Sequence, residues 1–124
     1  MTIQDAIVLI DNLKPNAYSE ADKIAWLDRL DRTVMEEVIL THEGYEEYDD
    51  FDGYTPDTDR TTVLLAGPPH DEIYLRYLEA QIDYADGEME RYQNSFTMFN
   101  SAYRDFQNAY NRAHMPRGHE LNFF

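Results

Sequence analysis

Eleven apolar residues, Leu75, Leu78, Ile82, Ala85, Met89, Tyr92, Phe96, Phe99, Tyr103, Phe106 and Tyr110, advance by alternating steps of three and four. Steps of that size place side chains on one face of an α-helix, and five repeats of the pattern commit the second half of the chain to helix packed on helix. Gly87 interrupts the run at a cost of about 1 kcal/mol relative to alanine. Either the helix bends there or the chain turns back. The hydrophobic phase survives the glycine, which a reversal does not require, so a bend is the expected outcome. Phe96 and Phe99, in the middle of the seam, are expected in the core.

The first half reads similarly. Ile3, Ile7 and Ile10 recur at helical spacing up to the Lys14-Pro15-Asn16 turn, giving a helix over about 2–13. Ser19 followed by Asp22 has the form of a capping box, in which the hydroxyl caps an amide and the carboxylate reaches back. The stripe of Ile24, Leu27, Leu30, Val34, Met35, Val38 and Ile39 then carries a second helix over about 19–41. Gly67-Pro68-Pro69 and the acidic Asp71-Glu72 mark the start of a third, over about 70–86, where negative charge suits the helix dipole. A fourth is expected over about 88–113. At 1.5 Å per residue it is about 39 Å long, against about 35 Å for a compact globule of this size. A helix longer than its own domain points to an assembly in which neighbours cover it.

Between the second and third helices lies an acidic loop, 43–68. Its first part holds Glu43, Glu46, Glu47, Asp49, Asp50, Asp52, Asp57 and Asp59 with no Lys or Arg before Arg60. Gly53 and Pro56 forbid a regular helix, and the uncompensated charge predicts a mobile, solvated segment. Thr61 to Leu65 has strand-like composition, which gives at most a small β-hairpin with the Tyr45 to Tyr54 region or an extended segment lying on the helices. The fold class is therefore all-α: one small helical bundle with a long C-terminal helix, an acidic loop or small β-hairpin insertion, and a tail over 114–124.

The chain has 124 residues, enough for one core without staples, and its hydrophobic content of 43% supports folding despite a mean hydropathy of -0.68. Cysteine is absent, which excludes disulfides, thiolate metal sites and cysteine nucleophiles. A net charge of -15 opposes binding to nucleic-acid backbones and anionic membranes. No run of residues reaches the roughly 20 apolar positions of a membrane span. The first residues lack the basic start and long apolar core of a signal peptide, so a protein folded without export is expected.

Reactive chemistry is sparse. His42-Glu43-Gly44-Tyr45-Glu46 begins like a zinc-protease helix, but Glu46 stands where the second histidine belongs. No nucleophile elbow or phosphate-cradling glycine loop is present, and neither catalysis nor a cofactor is expected. The best metal candidate is calcium, with Asp50, Asp52 and Asp59 near EF-hand positions, although Tyr48 occupies the first ligand position and Asp59 replaces the bidentate glutamate.

The tail reverses the charge balance. Arg112, His114 and Arg117 precede the apolar pair Phe123 and Phe124, and Pro116 with Gly118 ends the helix. Such a segment is expected to dock on another surface, with the two phenylalanines as anchors and Arg117 paired to a carboxylate. The alternative is a tail folded back on its own core.

The stretch from Asp71-Glu72-Ile73-Tyr74-Leu75-Arg76-Tyr77-Leu78-Glu79-Ala80-Gln81-Ile82-Asp83-Tyr84 through Gly87-Glu88, Arg91-Tyr92 and Phe99-Asn100 to Tyr110-Asn111-Arg112-Ala113-His114-Met115-Pro116 resembles small proteins of tailed bacteriophages and prophages, the head-tail connector or adaptor subunits. The resemblance implies a virion protein, assembled in the host cytoplasm, that forms a homo-oligomeric ring between the portal protein and downstream neck or tail proteins. It implies neither specific nucleic-acid binding nor membrane attachment. An acidic interaction protein that mimics DNA, and a calcium-binding module, are the alternatives from other classes.

Overall fold

The structure is a computed structural model and describes residues 1–117. Among these residues the chain forms four α-helices: α1 (Ile3–Leu13), α2 (Glu20–Val34), α3 (Glu72–Ala85) and α4 (Met89–Ala113). A π turn, Met35–Ile39, prolongs α2, and one 3-10 turn, Tyr45–Tyr48, follows it. The architecture is a small all-α bundle.

Both N-terminal helices start on reciprocal caps. Ser19 Oγ accepts from the Asp22 amide at 3.1 Å while the Asp22 carboxylate accepts from the Ser19 amide at 3.4 Å. Thr2 and Asp5 repeat the arrangement at 3.0 Å in each direction. Each box satisfies two amides that a helix start otherwise leaves open.

α3 is the centre of the bundle, burying Ile73, Tyr74, Tyr77, Leu78, Ala80, Ile82 and Asp83. α1 runs parallel to it: the Met1 ammonium lies 3.6 Å from Asp71, and Lys14 Nζ lies 2.6 Å from Asp83 at the other end. α2 runs the opposite way, since Tyr18 just before it reaches Asp86 (2.7 Å) and Asp31 near its end receives Tyr74 Oη (2.6 Å). α4 is also antiparallel. Tyr84 meets Tyr92 with ring centroids 5.1 Å apart, and Tyr77 meets Phe99 at 5.2 Å.

That geometry overturns the expected bend at Gly87. The residue takes φ of 75°, its amide donates to Tyr84 O (3.0 Å), and the Glu88 amide donates to Asp83 O (3.0 Å). This pair of bonds is the Schellman closure of α3, which needs a left-handed residue, and it sends the chain back as a helical hairpin.

Two further expectations about the seam and the loop are corrected. Phe99 is buried, but Phe96 is 37% exposed, because at that level of α4 the neighbouring Ser95 is the residue that turns in to Asp83 of α3. The loop is not a free strand of charge. Its eight carboxylates from Glu43 to Asp59 all lie exposed, while Tyr54, Leu64 and Ala66 are buried against the helices. Of the two forms expected for Thr61 to Leu65, the extended segment lying on the helices is the one found, without a hairpin to the Tyr45 to Tyr54 region. The chain's own start is the partner: Ile3 N donates to Thr62 O (3.0 Å), Gln4 N to Arg60 O (3.0 Å) and Leu64 N to Met1 O (2.9 Å).

Candidate interaction surface

Asp31 sits in the apolar stripe of α2, between Leu27 and Val34, and is fully buried. It accepts hydrogen bonds from Tyr54 Oη, from Tyr74 Oη (2.6 Å) and from the Leu65 amide (3.1 Å). Tyr74 Oη in turn accepts from the Ala66 amide at 2.7 Å. Burial pushes the Asp31 carboxyl up to about 6, even though all three hydrogen bonds favour its charged form. Burial and the neighbouring Asp31 charge likewise raise both tyrosines above their ordinary value. The cluster clasps α2, α3 and the loop together, and every reactive atom in it is committed to that clasp. A carboxylate in phase with an apolar stripe was its signal in the sequence.

Two more charges are buried at the other end. Asp83 takes Lys14 Nζ at 2.6 Å and the hydroxyl of Ser95 from α4. Lys23 donates to Asp11 (2.7 Å) and to Tyr18 O (2.9 Å). Their partners are separated by 12 to 69 positions or bind through backbone atoms, so composition alone could not pair them.

The described histidines stay apart. His42 is buried, with Nδ1 at 2.6 Å from Val38 O and Nε2 at 2.6 Å from the side chain of Asn111. Val38 O is open to it because the π turn diverts the His42 amide to Ile39 O (3.2 Å). His70 packs on Phe106, and His114 stacks on Tyr110 with centroids 3.9 Å apart. Asp50, Asp52 and Asp59 are not brought together either. Asp59 caps its own turn, accepting from the Thr61 amide (2.8 Å) and hydroxyl (2.7 Å). Among the described residues no group of three or more His, Cys, Asp or Glu side chains is placed to hold a metal ion.

Of the expected docking residues, Arg112 is exposed on the last turn of α4. Phe123 and Phe124 lie outside the described residues. Arg117 is held within its own chain, where residues 115–117 lie along the end of α2. The Glu43 amide donates to Met115 O (2.7 Å), and the Arg117 amide to Thr41 O (2.8 Å). The Arg117 guanidinium donates to Leu40 O (2.7 Å) and lies 4.4 Å from the centre of the Tyr45 ring.

What the surface offers is apolar. The end of the α3–α4 hairpin exposes Tyr84 (58%), Met89 (48%) and Phe96 (37%), and the rings of Tyr84, Tyr92 and Phe96 touch in series at 5.1 and 5.5 Å. Val8, Leu9 and Leu13 are exposed on α1. No described helix is long and apolar enough to cross a membrane. No known protein family, curated protein or solved structure matches the chain at a significant level.

Proposed function

We propose that this chain is a non-catalytic assembly subunit of a tailed-phage virion, of the head-tail connector kind that its second half resembles. The observation that carries the reading is the contiguous aromatic cluster Tyr84, Tyr92 and Phe96 at the end of the hairpin, with Met89 beside it. Aromatic and methionine side chains are the residues that interfaces favour, and a contiguous exposed patch of them marks a contact surface. The subunit's buried titratable groups are used to hold its own elements together, which suits a structural role. Its charge of -15 suits a ring through which DNA passes without being gripped.

Electron microscopy of the protein mixed with purified portal protein is the test. A ring seated on the portal, lost in Phe96→Glu while the subunit keeps its helical content, is the expected result. A subunit that never associates with portal or with itself refutes the reading. Salt-sensitive capture of a DNA-binding protein by the same subunit favours a DNA mimic instead.

A further inference from the structure

Between α4 and the turns that prolong α2 lies a polar hollow of about 250 Å³, lined by Glu37, Thr41, Gln107, Asn108 and Asn111, with His42 behind them. His42 is only 5% exposed, and both of its ring nitrogens meet protein atoms. Nδ1 lies 2.6 Å from Val38 O. A peptide carbonyl can only accept, so at that distance Nδ1 carries a hydrogen. The Thr41 hydroxyl, 3.0 Å from the same nitrogen, has Val38 O as an acceptor of its own at 2.8 Å and leaves this assignment in place. Nε2 lies 2.6 Å from Asn111 Oδ1. Here the pairing has two solutions, because an amide offers an oxygen and an NH2 of nearly the same shape. With Oδ1 turned to Nε2, the ring is an imidazolium and the Asn111 NH2 is left for the hollow. A neutral ring with its hydrogen on Nδ1 has a bare Nε2, which takes the NH2 and leaves Oδ1 for the hollow.

We propose that this hollow is a binding site for a guanidinium group, such as the arginine side chain of a partner, and that the proton on His42 opens and closes it. In the neutral form Asn111 Oδ1 joins the Glu37 carboxylate in the lining, and Gln107 and Asn108 each have an amide oxygen to add. Tyr103 Oη donates to Glu37 Oε1 at 3.0 Å and so fixes that carboxylate in position. A guanidinium brings five donors, no acceptor and a charge opposite to that of Glu37. Protonation places a positive charge behind the hollow and exchanges the Asn111 oxygen for a donor, and both changes repel the cation. The other titratable and charged groups around His42 are Glu37 and Glu43 from its own segment, Tyr110 and His114 from α4, and Arg117 from the returning chain, whose guanidinium is held by Leu40 O. The site is independent of the connector reading, since it is formed within one chain and tested on that chain alone.

The test is nuclear magnetic resonance on the full-length, 15N-labelled protein between about pH 8 and pH 5, the range in which histidine changes charge. At the upper end the His42 ring is expected to be neutral with its hydrogen on Nδ1, and at the lower end doubly protonated. The Asn111 side-chain amide signals are expected to move with the same midpoint. N-acetyl-arginine amide, added as the probe, is expected to shift those amide signals and to bind severalfold more weakly at pH 5 than at pH 8. In Asn111→Leu, an exposed position, that pH ratio is expected to fall to what general charge attraction leaves. A neutral ring with its hydrogen on Nε2, a His42 charge that stays constant over the range, or the same pH ratio in Asn111→Leu overturns the switch. Equal binding of N-acetyl-lysine amide, or no probe-induced shift at Asn111, overturns the guanidinium site.

Discussion

Asp31 illustrates how a single side chain can tie a fold together at a cost. Its carboxyl moves from an ordinary 3.8 to about 6 on folding, so the folded protein holds the proton more tightly than the unfolded chain. The contribution of this group is therefore fully present below pH 3.8 and lost as pH rises through 6. Asp31→Asn has no such titration. Between pH 7 and pH 4, urea unfolding should show stability shifting in the parent's favour relative to Asp31→Asn by roughly 2 to 3 kcal/mol. A gap between the two proteins that is constant across that range contradicts the shift. Arg117 gives a simpler expectation. Arg117→Ala removes one charged hydrogen bond and one cation–π contact, so it should cost about 1 to 2 kcal/mol in the same measurement. An unchanged midpoint means that the tail's return to α2 contributes nothing.

Among the elements, the α3–α4 hairpin separates what a sequence pattern reveals from what it conceals. The helices themselves were legible, because period and caps are local: Ser19 and Asp22 form the expected box, and α4 ends at Ala113 as expected. The reversal was not legible. Two antiparallel helices facing each other each carry an apolar stripe, and stripes that remain in phase across a glycine look like one bent helix. Gly87 decides the matter through its backbone, with no atom within 4 Å of where a Cβ would stand. Gly87→Ala should therefore cost only the left-handed backbone penalty, about 1 to 2 kcal/mol. Phe99→Ala should cost roughly 3 to 5 kcal/mol, the range for a buried aromatic. Phe96→Ala, on the uncovered side of the same helix, should change stability by less than about 1 kcal/mol. Denaturation curves for the three variants check the order, and a Phe96 loss as large as that of Phe99 contradicts the assignment of Phe96 to the surface. The buried polar pairs were illegible for a different reason. Asp83 with Lys14, and Asp31 with Tyr54 and Tyr74, depend on which helices become neighbours, and nothing local encodes that.

For the whole molecule, charge governs what happens outside the core. A net charge of -15 is spread over a small protein, and the loop's carboxylates face water instead of being neutralised. Self-repulsion of that kind destabilises a compact state and is screened by salt, as the Debye length falls from about 30 Å at 0.01 M to about 8 Å at 0.15 M. The melting temperature should rise over that range of sodium chloride. A flat or falling melting temperature means that the exposed acids do not strain the fold. The outward-facing charge also explains why the solvated acids of the loop were legible and its buried anchors were not. Its composition describes the acids, whereas Tyr54, Leu64 and Ala66 fix its path, and three residues are too few to register as a pattern.

The central position of α3 has a consequence for how this chain is made. The helix against which α1 and α2 both pack begins only at Glu72, and its last hydrogen bonds close at Glu88. A nascent chain emerging from the ribosome at about 5 to 20 residues per second therefore exposes two apolar stripes for several seconds before their common partner exists. Until α3 has been made, the apolar stripes of α1 and α2 lack the surface they pack on in the folded protein and stay open to the company of other unfinished chains.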